Sequence, residues 1–172
     1  MAKTNRTNLI CLDQHRSFAD DLRMRFSDPL KYNIVNVSSS VDLVKYFENA
    51  SEKTGINMAV IVIKDRDELS GQPEHLTLVI KRIDPRAGIF IICPGDRIDE
   101  IRKRLKFNID AFVAKNDNAN LRLHNAMKRH ISSLNLEKRR QRRNTSFVVL
   151  VLFVFLAAAA IIFARLKFPH YF

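Results

Sequence analysis

Apolar residues gather in short runs, and between the runs they recur every three or four positions, so the chain reads as strand and helix in alternation. Asn8–Leu12, Tyr32–Val37, Asn57–Ile63, Gly88–Cys93 and Ile109–Ala114 are the predicted strands. The first and third are apolar without alternation, as strands buried on both faces are. Over Ser17–Phe26, Phe18, Leu22 and Phe26 mark one face of a helix that Asp28-Pro29 ends. Ser38-Ser39-Ser40 supplies an N-cap for a second helix, carrying Val41, Leu43, Val44, Tyr46 and Phe47. Pro73 sits in the first turn of a third, with Leu76, Val79, Ile80 and Ile83, closed by Asp84-Pro85. Pro94-Gly95-Asp96 leads into a fourth over Ile98, Ile101 and Leu105, and from Asn118 a fifth runs through Leu121, Leu123, Met127, Ile131 and Leu134. Five strands alternating with five helices predict an α/β domain over residues 8–131, behind a polar N-terminus at 1–7. The sheet should be parallel, doubly wound and five-stranded in the order 2-1-3-4-5, with any ligand beyond the carboxyl ends of the strands.

The longest apolar run follows that domain. Phe147–Ala164 holds eighteen residues without charge, proline, glycine or polar side chain. As a helix it is about 27 Å long, close to the ~30 Å hydrocarbon core of a bilayer, which predicts one transmembrane helix. It lies near the C-terminus, unlike a signal peptide, and a helix buried in a protein core is the alternative. No breaker separates it from the fifth helix. Residues 132–146 carry Lys138, Arg139, Arg140, Arg142 and Arg143, whereas the tail at 165–172 carries only Arg165 and Lys167. Basic flanks stay on the cytoplasmic side. The expectation is a single-pass, tail-anchored membrane protein with its N-terminal domain in the cytoplasm, and with Phe168, Tyr171 and Phe172 at the far interface. The five basic residues would meet anionic lipid, and the Ala160/Ala164 spacing favours a homodimer.

The formal net charge of +11 changes little once it is located. Residues 128–143 hold seven Lys and Arg against Glu137, so the domain itself is only mildly basic and nucleic acid is not the expected partner. A basic cluster beside a span is accounted for by topology. Cys11 and Cys93 fall in apolar runs of strands that are not neighbours, and read as buried free thiols. The five histidines are scattered, and no Gly-rich phosphate loop or nucleophile elbow is present. Neither an enzyme nor a metal site is expected from these motifs.

The five βα units, the acidic turn at Asp13 and the segment Asp110-Ala111-Phe112-Val113-Ala114-Lys115 resemble the receiver domain of two-component response regulators, a flavodoxin-like fold, over about Asn8–Ile131. The resemblance implies a pocket in which two acidic residues after strand one and an aspartate ending strand three hold Mg²⁺. That aspartate takes a phosphoryl group, a Ser or Thr after strand four contacts it, and a lysine after strand five neutralises it. Clustered carboxylate oxygens suit a hard cation, and an aspartyl phosphate needs a fixed positive charge nearby. The sequence departs from this pattern. Asp13 is followed by Gln14, the Ser/Thr place falls on Cys93 or Pro94, and the acceptor place on Val62, Ile63 or Lys64. Asp65 is the nearest candidate acceptor, and Lys115 keeps the lysine place. Lys64 could stand in for the cation and pair with Asp13. Asp13 would bind Mg²⁺ only if the site is active, and no other cofactor is implied. Asp13 otherwise reads as a cap or turn residue, and Lys115 as an exposed loop lysine.

The resulting expectation is a membrane-tethered, receiver-like signalling or scaffold module that binds a protein partner without phosphotransfer. Its docking face would be the fourth helix, fifth strand and fifth helix, with Arg97, Asp99, Glu100, Arg102, Lys103, Arg104, Lys106 and Arg122. The alternatives are an active receiver modified by a histidine kinase, and a nucleic-acid binder using the cluster at 138–143.

Overall fold

The computed structural model describes residues 6–13, 16–50, 55–63, 72–105 and 108–167, with side chains described except at 72, 104, 142–146, 148, 154 and 157–167. The chain divides into two compact units, Met1–Ile131 and Ser132–Phe172. In the first, β1 (Thr7–Leu12), β2 (Tyr32–Val37), β3 (Ile56–Val62), β4 (Gly88–Cys93) and β5 (Ala111–Ala114) form one parallel sheet. The spatial order is β2-β1-β3-β4-β5, as expected from the alternation. Between the strands lie α1 (Ser17–Arg25), α2 (Ser40–Ala50), α3 (Gln72–Ile83) and α4 (Ile98–Arg104), the last preceded by a 3₁₀ turn at Gly95–Arg97. The final helix, α5, covers Ala119–Lys167.

The apolar runs become strands because both sheet faces are covered. Every residue of β3 and β4 is buried, and β2, at one edge, is half-buried throughout. On one face Ile10, Ala59, Ile61, Ile63, Ile89, Ile91 and Cys93 pack against Leu43 and Phe47 of α2, Leu76 and Ile80 of α3 and Ile101 of α4. Cys11 and Cys93 are buried free thiols. The predicted cap of α2 is Ser39, whose hydroxyl accepts the Asp42 N–H at 3.1 Å and donates to Asp42 Oδ2 at 2.7 Å. Ser39 thus caps the first turn through the N3 amide while its hydroxyl is held by the Asp42 carboxylate. Ser39→Ala should cost about 1 kcal/mol of stability, read as a lowered urea midpoint at unchanged slope.

Register along the first three strands is marked by a polar row. Asn8 lies opposite Asn33 on one side and Asn57 on the other. Asn33 Nδ2 donates to Asn8 Oδ1 at 3.1 Å, Asn8 Nδ2 to Asn57 Oδ1 at 2.9 Å, and Asn57 Nδ2 to Asp84 Oδ2 at 3.1 Å.

Within the second unit, Phe147, Val149 to Phe153, Phe155 and Leu156 of α5 are all exposed. Among the described residues no helix is long and apolar enough to cross a membrane. The described side chains stop short of the second half of the run Phe147–Ala164, which includes Ala160 and Ala164.

Candidate functional site

The carboxyl ends of the strands bring together Asp13, Ile63, Cys93 and Lys115, four of the positions that the sequence points to. Asp13 follows β1 and is 2 % exposed. Its amide donates to Val37 O at 3.2 Å, and its own carbonyl accepts Asn36 Nδ2 at 3.3 Å. The carboxylate Oδ2 accepts the Phe18 N–H at 2.9 Å. Arg16, the N-cap of α1, sits in the left-handed region at φ 59° and makes no side-chain cap bond. Asp13 therefore satisfies an orphan amide of the first turn from outside the helix, next to the positive end of its dipole. The capping reading of this residue holds, but as a buried group rather than a solvated turn.

β3 ends at Val62, which pairs with Ile92. The next residue, Ile63, donates its N–H to the carbonyl of Ile92 at 2.8 Å, extending the ladder by one bond. By strand alternation its side chain shares a face with Ala59 and Ile61. It is 2 % exposed and belongs to the apolar layer under α2, α3 and α4. Of the three places considered for the acceptor, Val62 and Ile63 are thus buried hydrocarbon. Gln14, Lys64 and Asp65 lie outside the described residues, so the Lys64–Asp13 pairing does too.

Cys93 ends β4 opposite Ala114 and is fully buried. Burial pushes its thiol up to about 11, with Asp96 adding to the shift and Arg97 opposing it. Burial, reinforced by the Asp13 carboxylate, pushes Cys11 up to about 12. Both are protonated, weakly nucleophilic thiols at neutral pH. Lys115 follows β5 with its side chain exposed, and its amide donates to Cys93 O at 2.8 Å.

A Mg²⁺ site of the receiver type is not formed by the described residues. The described ends of β1 and β3 supply one carboxylate, already engaged by a backbone amide, and no group of three His, Cys, Asp or Glu that could hold a metal occurs among them.

Sequence reasoning missed Asn36, whose amide braces the Asp13 turn. Arg97, expected on the docking face, is mostly buried. Its side chain is 14 % exposed and approaches Glu100 at 3.9 Å. The Asn36 signal was available as a polar residue inside an apolar strand. On the expected docking face, the Arg102 guanidinium lies 5.6 Å from the centroid of the Phe112 ring, a cation–π contact, and Leu121 is half exposed. Arg122 is exposed as well, whereas the Arg104 side chain and Lys106 lie outside the described residues. In the second unit Lys138, Arg139 and Arg140 are exposed, and the side chains of Arg142 and Arg143 are not among those described.

No protein-family model and no curated protein matches the chain. Among solved structures, it is similar to a response regulator receiver domain protein from Clostridium thermocellum, at 17 % identity and a TM-score of 0.59, covering 76 % of this chain and 98 % of that one. The N-terminal signal receiver domain of a two-component system response regulator from Bacteroides fragilis is similar at 16 % identity and 0.54, covering 73 % and 96 %. At this identity the likeness establishes the fold: a flavodoxin-like five-stranded sheet of the kind receiver domains have. It reaches no further than that architecture.

Proposed function

We propose that the chain is a membrane-tethered, receiver-like signalling or scaffold module that binds a protein partner without phosphotransfer and without a cofactor. The observation that carries this reading is Ile63. One of the three places considered for a receiver's reactive carboxylate is held by a side chain 2 % exposed in the apolar layer. One oxygen of Asp13 is also engaged by an α1 amide, which fits a pocket used for shape rather than for phosphoryl chemistry. Recognition then falls to the outer faces of the domain. The α4–β5–α5 face, with Arg102, Lys103, Leu121 and Arg122 exposed, offers a mixed charged and apolar surface suited to a protein.

Tethering rests on the sequence of the run Phe147–Ala164, since the described residues alone give no helix long and apolar enough to cross a membrane. Eight apolar side chains between Phe147 and Leu156 are 50–76 % exposed and surround the helix on every side. A core helix would bury them, and water would penalise such a patch heavily. Lipid satisfies it. The cluster Lys138–Arg143 then lies where an anionic, cytoplasmic leaflet adds about 1 kcal/mol per basic residue, and association of two copies through the helix fits the same picture.

A second reading, phosphotransfer to Asp65 with Mg²⁺, makes the opposite prediction in one assay. The full chain in lipid nanodiscs, incubated with Mg²⁺ and acetyl phosphate, should take up no acyl phosphate. In cells, it should stay with membranes through alkaline carbonate extraction. Stoichiometric labelling would overturn the first half of the reading, and release by carbonate the second.

A further inference from the structure

The amino-terminal edge of the sheet, opposite the receiver-type pocket, holds a set of groups with no role in that pocket. His130, on α5 at the end of the first unit, has a side chain only 8 % exposed. Its Nδ1 is 2.9 Å from Asp110 Oδ1, and its Nε2 is 3.0 Å from the carbonyl of Arg86. Both partners are acceptors, and a neutral imidazole has one N–H, so only the doubly protonated ring satisfies both contacts. Asp110 is in turn fixed by the Ile89 N–H at 2.8 Å and by Lys81 Nζ at 3.3 Å, while the same ammonium donates to Ala87 O at 2.7 Å. The edge of the Phe90 ring faces the imidazole at 6.2 Å. Gly88 makes that approach possible, because a Cβ there would stand 3.1 Å from His130 Cδ2 and 2.9 Å from the Phe90 ring.

We propose that His130 is a proton-operated latch that fastens the end of α5 in the first unit to the amino-terminal edge of β4 and β5, closed as imidazolium and weakened as neutral imidazole. The geometry supplies the two states: the neutral ring can donate to only one of its two acceptors and leaves the other without its imidazole hydrogen bond. Among the described charged residues, Lys81 faces it from α3 and Asp110 from the turn before β5. Asp84 and Arg86 belong to the turn before β4, where Asp84 is engaged with Asn57 and the Arg86 amide. Gly88 and Phe90 on β4 and Ala126 and Met127 on α5 are uncharged.

The Asp110 bond raises the ring above the ordinary histidine value. Burial opposes this, and the Arg86 carbonyl and the Asp110 charge add to it against Lys81. Burial pushes the Asp110 carboxyl up, but its bonds to His130 and Ile89, with the neighbouring positive charges, hold it below the usual carboxylate range. A histidine raised in the folded state contributes stability that is complete below its unfolded value of about 6.5. That contribution is lost as pH rises through the raised folded value, and no further loss follows above it.

The test is NMR of the full chain in lipid nanodiscs, following the His130 ring and the hydrogen exchange of amides 127–134, corrected for the intrinsic pH dependence of exchange. The ring should titrate above ordinary histidine, and protection of 127–134 should drop over the same interval while amides of β1 show no step. Asp110→Asn should lower the ring's titration and flatten the step. A ring that titrates at or below the ordinary value, or protection in α5 that does not follow it, overturns the latch. Should Asp110→Asn fail to fold, the wild-type titration still decides.

Discussion

Replacing Ile63 with aspartate is expected to cost at least about 4 kcal/mol, most of the roughly 5–15 kcal/mol that holds a domain of this size together. Removing a buried isoleucine side chain alone costs about 2–5 kcal/mol. The incoming carboxylate must also either lose its hydration among Ala59, Ile61, Ile91 and Cys93 or stay protonated there. Ile63→Val, which removes one methylene, should cost only about 1 kcal/mol. The aspartate variant should also acquire a pH dependence. Burial raises a carboxyl above its unfolded value of about 3.9, so the native state binds the extra proton. Stability then falls as pH climbs from the unfolded to the folded value and is flat beyond. Urea unfolding of the full chain in nanodiscs at pH 5 and pH 8 measures both effects. An aspartate variant as stable as wild type at pH 8 would mean that position 63 lies at a solvated edge where a carboxylate is at home. The non-phosphotransfer reading would then lose its main support.

What could be read from the sequence and what could not separate along a physical line. Strands and helices were legible because burial imposes a period, and the runs at 32–37 and 88–93 became strands with those bounds. The parallel sheet followed from the alternation of elements, and the order β2-β1-β3-β4-β5 from choosing the doubly wound arrangement that suits a unit of this length. Ends were less legible. The fifth strand shortens to Ala111–Ala114, although the Asp110 amide still donates to Ile89 O at 2.8 Å and its carboxylate accepts the Ile89 N–H and meets His130. Side-chain partnerships were not legible at all. His130 finds Asp110 twenty positions away and Arg86 forty-four away, and no local pattern encodes such distances. Asp13 looked like a turn residue because an aspartate before a helix usually is one, and only the packed β1–α1 corner reveals that its carboxylate is buried against the Phe18 amide. That Val62 and Ile63 carry no carboxylate was legible, whereas the membership of Ile63 in the core under α2, α3 and α4 required the fold.

Asn57→Ala should destabilise the domain by about 2–4 kcal/mol, far more than its exposed-loop equivalent would, because it strands two partners at once. Asn57 is 3 % exposed and Asn8 8 %. Without the Asn57 amide, Asn8 Nδ2 loses its acceptor and Asp84 Oδ2 its donor, one a buried amide and the other a carboxylate. Asn33→Ala, at the half-buried edge strand where water can replace the lost amide, should cost about 1 kcal/mol. The Asn8→Ala and Asn57→Ala effects should fall short of additivity in the double variant, since the second substitution removes a group already unpaired. If Asn57→Ala costs less than about 0.5 kcal/mol, or if the two effects simply add, the row contributes nothing as a connected unit. Its position explains why hydrocarbon would not serve there. β1 and β3 are apolar on both faces, so a slip of one residue exchanges one buried apolar side chain for another and hydrophobic pattern alone penalises it weakly. One asparagine in each of three neighbouring strands changes that. In the native register every amide in the row finds a partner, and in a slipped one Asn8 or Asn57 faces hydrocarbon with its hydrogen bonds unmade.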